Sequence, residues 1–242
     1  MYTVEDIQNY FIEELEAKRF VTDKTGVATI EMLGANFIAN KPSIFGTPND
    51  EYIKAELNWY EKQSTNINDI YGLGYNDKSP PIAWRRTADA HGNINSNYGH
   101  LVYSKKYYNQ YRHAFNELWL NSDSRRAQMI YNRPSIWIEY NENGKSDFIC
   151  TNAQTFYIRD NKLHMVSQMR SNDIIFGYKN DYAWAQHLMD NFVQEWNSTI
   201  EYFTYLDAAV ENNLPIEKGQ LIWQVMNLHC YDRHFNLVKL DN

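Results

Sequence analysis

The residues of this chain best suited to chemistry fall into groups that the sequence keeps apart. Cys150, one of only two cysteines, lies in S-D-F-I-C-T-N-A-Q-T-F-Y-I-R-D at 146–160. Strand alternation there puts Phe148, Cys150, Asn152, Gln154 and Phe156 on one face. A thiol between polar neighbours is either a small residue filling a hole or a nucleophile. A nucleophile needs nearby cations and hydrogen-bond donors to lower its pKa. Two arginine-bearing segments flank it, Asp123-Ser124-Arg125-Arg126 and Arg170-Ser171-Asn172-Asp173. Adjacent arginines are often merely solvated, yet two guanidinium clusters with serine hydroxyls are what bidentate recognition of a phosphate monoester requires. Together they suggest a nucleotide-sized anion.

Other polar residues stay ambiguous at this level. Glu56 and Tyr60 stand four residues apart on one helical face. His229 and Tyr231 share a face of an apolar strand, which suits a satisfied core pair as well as contact with a sugar hydroxyl. Trp59 and Trp84 read as core or as stacking platforms, and Arg85-Arg86 as a solvated pair. Gly72-Leu73-Gly74 is no dinucleotide fingerprint, because a third glycine is missing and Ser79-Pro80-Pro81 prevents a helix from opening there.

The elements that must position these groups follow from pattern. Thr3 with Asp6, ahead of Val4, Ile7, Phe11 and Leu15, predicts a capped helix with one buried face. Residues 27–39 read as strand, with Gly34 as a bulge, and 49–63 as helix. A polar loop rich in Gly and Pro occupies 66–81. Helix is expected over 104–120 and extended chain over 127–140, before an Asn143-Gly144 turn. Strands at 147–159 and 163–170 join through a short Asp-Asn-Lys turn, and a helix at 181–196 precedes an apolar strand at 220–231. The fold class is α+β, a largely antiparallel sheet with helices on one face. The other face, apolar in stretches such as 136–138, then needs a partner, and a second copy is the economical one.

At 242 residues and 43% apolar, the chain is expected to form one domain over 1–242. A net charge of -7 argues against a nucleic-acid polymer as partner. Two cysteines without a CxxC pair or zinc-type spacing predict neither a disulfide framework nor a metal. No apolar run approaches the ~20 residues of a membrane span, so a cytoplasmic location without membrane association is expected.

Read in order, the motifs D-K-T-G-V-A-T at 23–29, A-E-L-N-W-Y at 55–60, N-S-N-Y-G at 95–99, D-S-R-R at 123–126, D-F-I-C-T-N at 147–152, M-R-S-N-D-I-I-F-G-Y-K-N-D-Y-A-W at 169–184 and L-H-C-Y-D-R-H-F at 228–235 resemble the thymidylate synthase superfamily. The resemblance is closest to its phage deoxycytidylate hydroxymethylase branch. It implies that Cys150 adds to ring carbon 6 of a pyrimidine nucleoside monophosphate, activating carbon 5 toward 5,10-methylenetetrahydrofolate. It further implies a homodimer with shared active sites, in which Lys24, Arg170 and Ser171 of one subunit and Arg125 and Arg126 of the other hold the phosphate. His229 and Tyr231 would contact the sugar, Tyr98 and Glu56 would assist proton movement, and Trp84 and Asp173 would meet the folate.

Asp181 stands where synthases carry an asparagine that reads uracil. A carboxyl group better complements the amino group and bare ring nitrogen of cytosine, which favours dCMP over dUMP. Lys24 replaces an arginine, and Thr151 follows the nucleophile where synthases have histidine. The sequence stops seven residues after Phe235, against a longer tail in relatives, which is expected to ease the entry of water. Water addition at the last step gives a hydroxymethyl product. Methyl transfer to dCMP, action on CMP or dUMP, and a catalytically silent nucleotide-binding protein are the competing expectations.

Overall fold

Local signals set the ends of most elements in the computed structural model, which describes residues 1–22, 26–72, 78–206 and 213–240. After β1 (Tyr2–Thr3), α1 (Val4–Glu16) opens on the expected capping box, with the Asp6 carboxylate accepting from the Thr3 N–H at 2.7 Å and from its hydroxyl at 2.9 Å. β2 (Val21–Thr22) and β3 (Ala28–Ile38) lead to α2 (Asp50–Glu61), capped by Asn49, whose side chain accepts from the Tyr52 N–H. There follow α3 (Ile82–Thr87), α4 (Tyr98–Tyr103), α5 (Gln110–Leu120), β4 (Gln128–Ile130) and α6 (Ile136–Glu139). The hairpin of β5 (Thr151–Arg159) and β6 (Lys162–Met169) turns on Asp160 and Asn161, both at positive φ. β7 (Asn172–Asp173), α7 (Gly177–Tyr205) and β8 (Glu217–Tyr231) complete the chain's regular elements.

Four stretches depart from expectation. The strand expected over 147–159 begins only at Thr151 and shifts register before Ala153, so Phe148 and Cys150 precede it and do not share its alternation. The helix expected over 104–120 is broken where Tyr108 and Asn109 adopt left-handed backbone, and Asn109 then caps α5. Of 127–140 only Gln128–Ile130 is strand. The chain bends at Pro134 into the single helical turn of α6, so Trp137 and Ile138 are exposed helix residues, not part of a sheet face. The helix expected at 181–196 runs for 29 residues, from Gly177 to Tyr205. No helix among the described residues is long and apolar enough to cross a membrane.

The sheet has the order β1-β3-β8-β6-β5-β4, with β2 added to β3 and β7 to β8. It is mixed: β3 with β8, and β6 with β5, are antiparallel, whereas β6 and β7 run parallel to β8. On one face Phe37, Met165, Trp223 and Val225 are buried, and α7 packs there through Leu188, Met189, Phe192 and Trp196. The sheet is disturbed at one level across four strands. In β3 the buried positions change phase between Ile30 and Ala35, around Gly34 at φ +69, and in β8 between Val225 and Leu228. The β3–β8 register nevertheless stays constant, so Gly34 marks a kink shared by both strands, not a bulge in one. β6 and β7 form a single course along β8, interrupted only at Arg170–Ser171, and β5 carries a register shift between Thr151 and Ala153.

Two helices approach closely beside this level. A Cβ at Gly99 in α4 would lie 1.8 Å from the Tyr60 carbonyl oxygen in α2, so only glycine fits. The approach places Tyr98 against Tyr60, ring centroids 5.4 Å apart. The buried Asp147 carboxylate anchors the preceding segment, accepting from the N–H groups of Asn95 and Ser96 and from the Ser96 hydroxyl. Replacement of Gly99 by alanine is expected to cost at least about 3 kcal/mol, the upper end of typical overpacking. Urea unfolding of Gly99→Ala against the parent protein measures it, and an unchanged midpoint would contradict the contact.

Candidate active site

Cys150 sits one residue before β5, partly accessible, where the disturbed pairing leaves carbonyls without strand partners. Arg170 fills that gap. Its guanidinium donates to the carbonyls of Ile149 at 3.0 Å and Phe148 at 2.6 Å, lies over the Phe148 ring, and reaches the Cys150 sulfur at 3.4 Å. Burial pushes the thiol up to about 11; Arg170 pulls it down, and the carboxylates of Asp181 and Asp147 oppose Arg170. The resting group is therefore a thiol held beside a cation, and Arg170 is already committed to the site.

Two acids share the neighbouring interior. Glu56, 4% exposed on α2, accepts hydrogen bonds from the Tyr52 hydroxyl and from the Trp84 indole N–H at 3.1 Å. Trp84 also donates to the Tyr52 oxygen at 2.8 Å. Burial raises Glu56 to about 7 against these donors. Asp181, in the second turn of α7, is raised to about 8 by burial and then by the charge of Glu56, while Asn172 and Tyr98 act to lower it. Near neutrality the pair holds protons that ordinary carboxylates would have lost.

Around them the structure brings together most of the residues singled out in the sequence. Tyr98 is buried, and its hydroxyl accepts from Thr151 Oγ1 at 2.9 Å. Its phenol is raised by burial and by the charges of Asp181 and Cys150, which makes it a neighbour of both. Ser171 lies in the break between β6 and β7. His229, opposite Asp173 in register, packs its ring on Tyr231 at 4.8 Å, and burial lowers its pKa. Asp173 is largely engaged within the chain: its Oδ1 accepts from the N–H groups of Ile175, Phe176 and Gly177, capping the approach to α7.

Arg125 and Arg126 are not at this site. Ala127 pairs with Phe156 and the Arg159 guanidinium donates to the Asp123 carbonyl, so the cluster lies by the far end of β5. At ~3.3 Å per residue that is roughly 20 Å from Cys150, beyond an arginine side chain's length. Arg126 is ion-paired to Glu117 at 2.9 Å and is 80% exposed. Lys24 lies outside the described residues.

Several residues of the cluster carried no signal strong enough to single them out by sequence. Asn172 donates to Asp181 at 2.7 Å and accepts from the Trp223 indole at 3.2 Å. Tyr52, four residues before Glu56, could have been found from helical spacing. Thr151 and Asp147 flank the cysteine, but their partners, Tyr98 and the 95–96 segment, are set by the fold.

Known proteins share this sequence and fold. The thymidylate synthase family profile matches residues 15–241. The deoxycytidylate 5-hydroxymethyltransferases of Enterobacteria phage T4 and phage T2 are each 45% identical over 236 residues, covering 98% of this chain and 89% of theirs. A thymidylate synthase of Corynebacterium aurimucosum is 25% identical over 245 residues, 97% of this chain and 80% of its own. The solved structure of thermostable thymidylate synthase A from Bacillus subtilis has the same fold, with a TM-score of 0.65 over 98% of this chain and 82% of that one, at 18% identity. With the profile spanning nearly the whole sequence and the fold shared, the chain belongs to the thymidylate synthase family.

Proposed function

We propose that the protein is a homodimeric deoxycytidylate 5-hydroxymethyltransferase, converting dCMP to 5-hydroxymethyl-dCMP with 5,10-methylenetetrahydrofolate as one-carbon donor. The observation that carries this reading is a carboxyl group, Asp181, raised to about 8 beside Tyr98 and Cys150. Cytosine offers an amino donor and an unprotonated ring nitrogen, and a neutral carboxylic acid supplies the matching acceptor and donor. Uracil reverses both, and a buried polar site discriminates strongly against a reversed pattern. The hydroxymethyltransferases that share 45% identity with the chain support the same substrate.

In this reading the Cys150 thiol gives its proton to solvent as Arg170 steadies the developing thiolate, and Sγ bonds to ring carbon 6 while the carbon 5–carbon 6 π pair moves toward carbon 5. Asp181 donates toward ring nitrogen 3, relieving the charge that addition places on the ring. The folate supplies an electrophilic one-carbon unit at carbon 5. Glu56 holds a proton near neutrality and, with Tyr98, handles the loss of the carbon 5 proton and the water that completes the product; the Cys150 sulfur then leaves carbon 6 as the carbon 5–carbon 6 double bond re-forms. The residues present fit a flat heteroaromatic co-substrate: the half-buried Trp84 ring stands beside Glu56, and Phe176, 54% exposed, stands beside Asp173. His229 and Tyr231 would meet the sugar.

The phosphate is assigned to Lys24, Arg170 and Ser171, with Arg125 and Arg126 arriving from a second copy. Their separation from Cys150 within one chain supports that origin. So do Leu33 and Met226, exposed at 73% and 53% on the central strands β3 and β8, which a second copy would cover.

Three outcomes are expected. Incubation of the protein with dCMP and the folate gives a nucleotide heavier by one hydroxymethyl group, with dUMP and CMP inert and Cys150→Ala without turnover. Mass spectrometry reads this: a methyl gain would change the final step, and a fully active Cys150→Ala would favour a protein without covalent catalysis. Mixing inactive Cys150→Ala with inactive Arg125→Ala/Arg126→Ala restores activity, because a mixed dimer assembles one complete site; no recovery after subunit exchange would place the arginines elsewhere. The third outcome concerns stability. Glu56 and Asp181 rise in the fold from ordinary values of 4.5 and 3.8 to about 7 and 8, so the folded state binds more protons than the unfolded state between these limits. Stability is then fullest at the acid end and is lost as pH rises through the folded values. Urea midpoints of Asp181→Asn, measured against the parent at pH 5.5 and 8.5, should show the variant gaining relative stability at the higher pH; a gain at the lower one would refute the raised carboxyl.

A further inference from the structure

A carboxyl group is symmetric, so nothing in Asp181 itself decides which oxygen carries the proton when it is neutral. A group that reads one base and rejects another needs that decision made. Resting on the proposed role of Asp181, we infer that Asn172, oriented by Trp223, fixes the proton of Asp181 on Oδ1 and so makes the group read cytosine and reject uracil.

The orientation follows from a donor that cannot accept. The Trp223 indole N–H, fully buried, points at Asn172 Oδ1 at 3.2 Å, and an indole nitrogen can only donate. The Asn172 amide must therefore turn its oxygen to Trp223 and its NH2 to Asp181, where Nδ2 meets Oδ2 at 2.7 Å. Rotation is confined as well. Asn172 is 4% exposed and paired with Leu228 in the sheet, and Trp223 packs edge-on to Tyr178. Gly177 makes room for the amide: a Cβ there would stand 3.2 Å from Asn172 Nδ2.

The Asn172 N–H meets a lone pair of Oδ2, and a carbonyl oxygen accepts it better than a hydroxyl oxygen does, so the contact favours the acid proton on Oδ1. Burial and the charges of Glu56 and Asp173 make the neutral form available near neutrality, while Tyr98 is the other lowering group besides Asn172. The base cannot turn over, because carbon 6 must meet the Cys150 sulfur. The inference places ring nitrogen 3 opposite Oδ1–H and the cytosine amino group opposite Oδ2. To accept uracil, the proton would have to move to Oδ2, turning it into a hydroxyl oxygen and weakening the acceptor that the buried Asn172 N–H needs. Asn172 is thus a positioning residue that acts through Asp181, and rejection of uracil comes from that weakened hydrogen bond.

Calorimetric titration of dCMP and dUMP into the parent protein, Asn172→Ala and Trp223→Phe, without folate, tests this. Thermal melts confirm that each variant is folded. Asn172→Ala is expected to weaken dCMP binding by roughly tenfold, the order of one lost hydrogen bond to a buried group, with dUMP affected much less, so that the preference between them collapses. Trp223→Phe, which frees the amide to flip, should move the ratio in the same direction. Should Asn172→Ala fail to fold, Trp223→Phe decides. A purely structural role would weaken both nucleotides in parallel and leave the ratio intact, and that result overturns the inference alone. A parent protein with no preference for dCMP would overturn the proposed function and this inference with it.

Discussion

At one level of the sheet β3 and β8 share a kink, the β5–β6 register shifts and the β6–β7 course along β8 is interrupted, and the site is built from what that disturbance leaves unsatisfied. Backbone carbonyls buried away from water need partners. Here the carbonyls of Phe148 and Ile149 take theirs from the Arg170 guanidinium, which enters from the interruption between β6 and β7. A charged side chain is thereby drawn into the interior by the hydrogen-bonding needs of the backbone. The Cys150 sulfur shares the same guanidinium, and Asn172, on the far side of the interruption, faces Asp181. Had the strands continued regularly, the ladder would have satisfied those carbonyls and left no place for a cation beside the thiol.

The electrostatics follow from that arrangement. The Arg170 guanidinium faces the Cys150 thiol, and the buried carboxyls Glu56, Asp147 and Asp181 lie in the neighbouring interior. Asp147 is satisfied by three donors from the 95–96 segment. Glu56 and Asp181 keep protons near neutrality, because burial outweighs the donors available to each. The site therefore holds a protonated thiol and two carboxyls titrating near neutrality, protons that the proposed chemistry would redistribute among Cys150, Glu56 and Asp181.

Much of this was legible in the sequence where a short-range rule governs. The Thr3–Asp6 capping box, the turn at Asp160-Asn161 and the alternating strands all follow from neighbours a few residues apart. The ordered motifs singled out Cys150, Arg170 and Asp181. Legibility ended where distant parts of the chain decide. Residues 127–140 carry apolar spacing that suits a strand, but Pro134 and the packing of Trp137 on Phe148 settle it as a bend and a helical turn. Residues 104–120 look like one helix, and only the left-handed pair Tyr108-Asn109 divides them. Asn172 sat in full view as a polar neighbour of Arg170, yet its orientation depends on Trp223, which the fold brings to it from another strand. Gly34 was read as a bulge because one strand alone cannot reveal that its partner breaks phase at the same place.

The contact at Gly99 bears on inheritance as much as on packing. A copying error at Cys150 leaves a chain that folds and, in the proposed dimer with shared sites, can still pair with an intact copy and lend it Arg125 and Arg126. Such an allele would be partly complemented whenever both are expressed together. An error at Gly99 forces α4 away from the Tyr60 carbonyl and lowers the stability of the chain before any pairing occurs, so it acts through the amount of folded protein. Residues that perform the chemistry and residues that permit its geometry would therefore separate by genetic behaviour, although Gly99 immediately follows Tyr98 in the sequence.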